Sequence, residues 1–120
     1  ETAALIGDQA DIYSGNDDQI VPILSMGGKG VISVLSNCNG NILQEVMQAF
    51  ENGEVKKAAD LNKVMVPLAN AMFVESNPIP IKYAVTKATG IDVGAPRLPL
   101  TELTEAGKAK VDAAMAAAGM

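Results

Sequence analysis

The chain contains no histidine and no tryptophan, and it has a single cysteine, Cys38. Without histidine, no Ser-His-Asp or Cys-His arrangement can form within it, and no His-ligated zinc site. A lone cysteine makes no internal disulfide and nothing forms a CxxC pair, so a reducing compartment is the simplest reading. No stretch approaches the roughly 18 to 20 apolar residues that a membrane helix needs. The opening Glu1-Thr2-Ala3-Ala4-Leu5-Ile6-Gly7-Asp8 lacks the basic start and apolar run of a signal peptide, so a cytoplasmic protein without a membrane partner is expected. Positive charge is also scarce. Nine basic side chains stand against 14 acidic ones, for a net charge of -5. With no basic cluster larger than Lys56-Lys57, nucleic acid is not an expected partner.

What remains is a 120-residue chain that is 48% hydrophobic, with a mean hydropathy of +0.18. That composition belongs to a folded chain, and the length suits one domain. Ala3–Ile6 followed by Gly7 reads as a last helical turn closed by glycine. A β run over Ala10–Ser14 ends at Gly15-Asn16-Asp17-Asp18, where Asp17 or Asp18 is a suitable N-cap for a helix carrying Ile20, Val21, Ile23, Leu24 and Met26. Pro22 falls in its first turn, where a missing N–H costs little. Gly27-Gly28-Lys29-Gly30 stops that helix, and Val31–Leu35 forms a second β run, apolar almost throughout. Continuous apolar character indicates burial on both faces, as in a parallel strand. The order strand, short helix, strand predicts a βαβ unit with parallel neighbours.

Beyond residue 36 the pattern is helical. Asn41 with Gln44 suggests a capping box before Ile42, Leu43, Val46, Met47 and Phe50. Val55 to Met72 forms a long amphipathic helix in which Pro67 predicts a kink. Asn77-Pro78-Ile79-Pro80 leads into a helix ending at Thr89-Gly90, and Val111, Ala114, Met115 and Ala118 stripe a last helix. Two parallel strands cannot form a stable sheet alone. The chain therefore pairs with another polypeptide or is part of a larger βα protein.

Several residues invite chemistry and also have plainer readings. Gly15-Asn16-Asp17-Asp18 lies at the C-terminal end of a strand, the edge where α/β proteins place ligands; a tight turn with an N-cap explains it as well. Gly27-Gly28-Lys29-Gly30 precedes a strand and lacks Walker A spacing, so it reads as a helix stop with Lys29 exposed. Cys38 has no base to activate it and reads as a packed residue. The six methionines read as core filler, and Lys56 and Lys57 as a solvated face. Lys82, unfavourably placed in the first turn of its helix, is expected to pair with an Asp or Glu from elsewhere.

The segments Tyr13–Asp18 and Gly27–Val34, followed by Asn77-Pro78-Ile79-Pro80-Ile81-Lys82 and Arg97-Leu98-Pro99-Leu100, resemble in order the pyruvate-dependent Schiff-base aldolase/lyase family. The last two point to its lysine-pathway branch rather than the sialic-acid branch. The resemblance implies an α/β fold: the last two βα units of a TIM (β/α)8 barrel, followed by a C-terminal helical extension. A full barrel needs roughly 250 residues. Residues 1–53 would then hold strands 7 and 8 with their helices, residues 54–120 the extension, and Glu1 would fall inside the helix before strand 7.

By the same resemblance, the enzyme condenses pyruvate with aspartate 4-semialdehyde through a lysine imine, needs no cofactor or metal, and assembles as a homotetramer. The Schiff-base lysine, the Tyr and Thr proton relay and the carboxylate-binding arginine would all precede Glu1, so no catalytic residue is expected in this chain, which alone would be inactive. Two positions carry over. Ile32 matches a strand-8 residue whose backbone carbonyl faces bound pyruvate. Gly15 matches a strand-7 glycine at the pocket floor. Asn16 stands where relatives often have Asp. The competing readings are a related pyruvate lyase acting on sugar acids, and a non-enzymatic helical interaction fragment.

Overall fold

A computed structural model describes all of residues 1–120. Helix α1 (Thr2–Ile6) ends where Gly7 takes φ 50°, a left-handed value that a side chain would resist, and one 3-10 turn leads on to strand β1 (Tyr13–Ser14). A second 3-10 turn (Asp17–Gln19) runs into α2 (Ile20–Ser25), and the glycine-rich turn delivers strand β2 (Gly30–Val31). The two strands pair in parallel, Tyr13 with Gly30 and Ser14 with Val31, as the βαβ pattern predicts. Both are shorter than the β runs of the sequence. A strand exists only where a neighbour supplies donors and acceptors. Here each has one neighbour, and the ladder extends past the register only through Lys29 N–H to the Ile12 carbonyl (2.7 Å) and Ile32 N–H to the Ser14 carbonyl (2.8 Å).

The expected burial of Val31–Leu35 on both faces also fails in part. Leu35 is fully buried, but Ile32 is 72% exposed and Tyr13, on β1, is 51% exposed. No further strand of this chain covers them.

Four helices follow: α3 (Ser36–Glu51), α4 (Val55–Ala71), α5 (Ile79–Thr89) and α6 (Glu105–Ala117). The expected capping box at Asn41 is not the start of α3. The Leu35 carbonyl accepts from Cys38 N–H (3.0 Å) and Asn39 N–H (2.9 Å), which closes one separate turn ahead of the main helix. Asn39 then leaves helical geometry at φ -146°, ψ 62°, so a single turn over residues 36–38 is followed by the main helix over residues 40–51, which starts close to the expected cap. Helix α4 continues through Pro67, whose ring lies on the exposed side. Pro80 sits in the first turn of α5, and Gly90 closes that helix in the left-handed conformation at φ 72°. At the start of α6 the Thr104 hydroxyl accepts from Gly107 N–H (3.1 Å), a cap.

One apolar cluster unites these elements, from Ile20 and Leu24 on α2 through Leu43 and Val46 on α3 and Met65 and Leu68 on α4 to Val111 and Met115 on α6. Helix α3 packs chiefly against α4. Of the methionines, Met65, Met72 and Met115 fill this core, while Met26 and Met120 lie outside it. No helix is long and apolar enough to cross a membrane.

Candidate active site

Because β1 and β2 run parallel, their C-terminal ends open on one edge, where α/β proteins gather ligands. Two loops leave that edge: residues 15–19 after β1 and 32–35 after β2. Each is closed by its own hydroxyls. The Ser14 hydroxyl donates to the Asn16 carbonyl (2.7 Å) and accepts from Asn16 N–H (3.2 Å). The Ser33 hydroxyl accepts from Ser36 N–H (2.8 Å), and the Ser36 hydroxyl donates to the Ser33 carbonyl (3.1 Å). These Ser-centred turns leave the loops little freedom without help from secondary structure.

Ile32 sits at the first position after β2. Its N–H is taken by the Ser14 carbonyl, but its own carbonyl accepts no hydrogen bond from within the chain. Gly15 does not occupy the left-handed region, and a Cβ built there would meet nothing within 4 Å. Neither backbone conformation nor packing inside this chain requires glycine at that point. Asn16 enters its turn through its backbone, and its side chain is exposed.

Asp17 departs from expectation. Neither it nor Asp18 caps a helix with its side chain. Instead Asp17 is only 3% exposed, and its Oδ2 accepts from Leu35 N–H at 3.0 Å, across the edge and 18 positions along the chain. Its Oδ1 is buried with no partner. An aspartate before an apolar run reads the same in sequence whether it turns to its own helix or to a distant amide, so spacing alone could not separate the two roles.

Asn62 was not singled out by the sequence. It lies on the buried face of α4, where its Nδ2 donates to the Asp18 carbonyl at 3.1 Å while its Oδ1 is buried and unpartnered. A signal existed: Asn62 falls in the helical stripe Ala58, Met65, Ala69, all buried. A polar residue on an apolar stripe has a task there.

Cys38 lies in the first turn of α3, half-buried, its Sγ donating to the Leu35 carbonyl at 3.5 Å. Burial, and secondarily the negative charge of Asp17, pushes its thiol up to about 11. A thiol so raised is a poor nucleophile at neutral pH.

None of the lysines falls in the two edge loops. Lys29 is exposed in its turn, as expected. Lys56 pairs with Asp60 (2.6 Å) and Lys57 with Glu54 (3.0 Å) on the solvated face of α4. Hydrogen bonds donated to the carboxylates of Asp60, Asp112 and Glu105 hold Lys56, Lys87 and Lys108, respectively, above the usual lysine range. The expected carboxylate partner of Lys82 is a carbonyl instead: its Nζ donates to Val93 at 2.8 Å, because the 91–100 segment folds back over the start of α5. No three His, Cys, Asp or Glu side chains converge where a metal could bind.

Comparison with known proteins matches this arrangement to one family. The model of the dihydrodipicolinate synthetase family matches residues 1–118. The 4-hydroxy-tetrahydrodipicolinate synthase of Caldicellulosiruptor bescii is 52% identical over 102 residues, 85% of this chain and 34% of that protein. That of Clostridium tetani is 49% identical over 105 residues, covering 88% of this chain and 35% of its own length. Among solved structures, the chloride-inhibited dihydrodipicolinate synthase of Acinetobacter baumannii complexed with pyruvate superposes with a TM-score of 0.89 at 33% identity, over 98% of this chain and 40% of that one. The enzyme of Cyanidioschyzon merolae with lysine bound gives 0.86 at 39% identity, over 91% of this chain and 37% of that one. The chain thus spans about a third of the length of the curated relatives it matches. Its strands and helices are the last two βα units of a TIM barrel with the helical extension that follows them. The chain belongs to the dihydrodipicolinate synthetase family.

Proposed function

We propose that this chain forms the C-terminal part of a lyase that condenses pyruvate with aspartate 4-semialdehyde through a lysine imine, in lysine and diaminopimelate biosynthesis. The observation that carries the reading is the unbonded Ile32 carbonyl at the C-terminal edge of a parallel strand pair, in a chain of this family. A free backbone acceptor there suits a ligand or a protonated amine, and Gly15, unconstrained by its own chain, leaves room beside it as the pocket floor. The lysine that attacks the pyruvate ketone comes from the barrel strands that this chain does not contain. The attack expels water to give the imine, which loses a proton to become the enamine that adds to the aldehyde. The imine is itself the electron sink, so the chemistry calls for no further cofactor.

The same strands close the sheet over Ile32 and Tyr13. Residues 1–120 alone are therefore inactive, and the working form is the complete barrel, a cytoplasmic homotetramer. Relatives named as the synthase favour this reading over a sugar-acid lyase or a stand-alone helical fragment. The test is reduction of the complete protein with borohydride in the presence of pyruvate. Covalent addition of the reduced pyruvate unit is expected on a lysine outside residues 1–120. Absence of any adduct, or an adduct on Lys29 or Lys82, overturns the reading.

A further inference from the structure

The loop that carries the Ile32 carbonyl is held at one end by strand β1 and at the other by the loop that follows it. At its start, Ile32 N–H donates to the Ser14 carbonyl at 2.8 Å; at its end, Leu35 N–H donates to Asp17 Oδ2 at 3.0 Å. Only Ser33 and Val34 lie between the anchored residues, and Ser33 is itself locked into the turn at Ser36. With two anchors and so short a span, the direction of the Ile32 carbonyl follows from where the anchors sit. One anchor is backbone and cannot be changed by substitution. The other is a side chain.

The character of that side chain argues for a positional task. Asp17 is 3% exposed, yet one of its two oxygens has no partner. A buried carboxylate with a single hydrogen bond stabilises a fold poorly, because desolvation of the charge outweighs one bond, and an apolar side chain of like size packs at lower cost. Its bond also joins two loops that the fold could have left apart, and it does so at the ligand edge.

We propose that Asp17 is a positioning residue for pyruvate: by gripping Leu35 N–H across the strand edge, it fixes the direction in which the Ile32 carbonyl meets the ligand. This rests on the pyruvate-facing role given to Ile32. Catalytic geometry tolerates little misplacement, so loosening one anchor weakens the contact without removing any group that touches substrate.

The test uses the complete enzyme with Asp17→Ala and Asp17→Asn. Asn keeps an oxygen able to accept from Leu35 N–H; Ala does not. Asp17→Ala is expected to raise the pyruvate KM about tenfold, the equivalent of one buried hydrogen bond to a charged group, with a much smaller change in the semialdehyde KM. Asp17→Asn is expected to hold the pyruvate KM within about threefold, the neutral bond being weaker but in place. A pyruvate KM unchanged in Asp17→Ala overturns the proposal, as does a loss of equal size in both variants. Should the Ala variant fail to fold, hydrogen exchange at Leu35 in Asp17→Asn decides. Retained protection with a near-normal pyruvate KM supports the clamp, and retained protection with a tenfold loss overturns it. Borohydride trapping of the unmutated enzyme separates failure of the clamp from failure of the pyruvate-imine reading on which it rests, since the latter leaves no adduct in any form.

Discussion

Asn62, in the middle of α4, donates its side-chain amide to the backbone carbonyl of Asp18 at 3.1 Å, joining the helical extension to the loop at the mouth of the strands. The extension thereby braces the candidate pocket from behind. Replacing Asn62 with Ala leaves a cavity and strips a backbone acceptor of its partner. A loss of about 1 to 2 kcal/mol is expected in chemical denaturation of the complete enzyme. Asn62→Asp, which sets a carboxylate against a carbonyl, should cost more. Equal stability of all three forms would show that the bond contributes nothing.

Gly107 and Gly40 offer a matched contrast. A Cβ on Gly107 would lie 2.5 Å from Glu75 Oε1 and 2.6 Å from Leu103 Cδ1, on the buried side of α6. A Cβ on Gly40 meets nothing within 4 Å. Gly107→Ala should therefore destabilise by about 1 to 3 kcal/mol despite the better helix propensity of alanine. Gly40→Ala should be neutral or gain up to about 1 kcal/mol. Thermal melts of the two variants check both signs.

Cys38 should respond to pH in one direction. Its thiol is raised from 9.0 to about 11 in the folded chain, so above pH 9 the unfolded thiol ionises while the folded one stays neutral. The stabilisation this confers is complete below pH 9 and falls as the pH rises to about 11. Cys38→Ser should remove that part of the alkaline loss, measured as the difference in melting temperature between pH 8 and pH 10.5. At neutral pH, Cys38 should react slowly with a thiol-specific disulfide reagent in the native protein and fast after unfolding.

The exposed apolar side chains at the strand pair predict how the isolated chain behaves. Leu5 is 74% and Ile32 72% exposed, with Tyr13 and Met26 also uncovered. Residues 1–120 alone should bind a hydrophobic dye and melt without a sharp transition, while co-expression with the upstream barrel segment should abolish dye binding. A monodisperse 120-residue monomer with a cooperative melt and no dye binding would contradict this.

Much of the architecture was legible because local chemistry decides it. Gly27–Gly30 ends α2 and opens β2, Pro80 enters α5, Gly90 closes it, and the stripe through Val111 and Met115 faces the core. What sequence could not show depended on partners far along the chain. Asp17 and Lys82 satisfy themselves with Leu35 N–H and the Val93 carbonyl, choices that exist only once distant segments meet. The strands shrank because strand length is a property of the pair, and each has a single neighbour here. At Ile32, resemblance pointed to the residue, and the structure adds a carbonyl left without a donor from its own chain. Resemblance places Gly15 at the pocket floor, and a Cβ there would meet nothing of this chain within 4 Å.

The continuous core from α2 to α6 bears on how the gene can be cut. Leu43 and Val46 of α3 belong to one apolar cluster with Met65 and Leu68 of α4. A reading frame that stopped after residue 53 would encode the last barrel helix without the α4 side chains that cover its inner stripe, and the Asp18 carbonyl would lose its donor from Asn62. Nonsense and frameshift alleles falling anywhere in α4 should thus behave as full losses of function, although every residue placed at the ligand edge would still be translated.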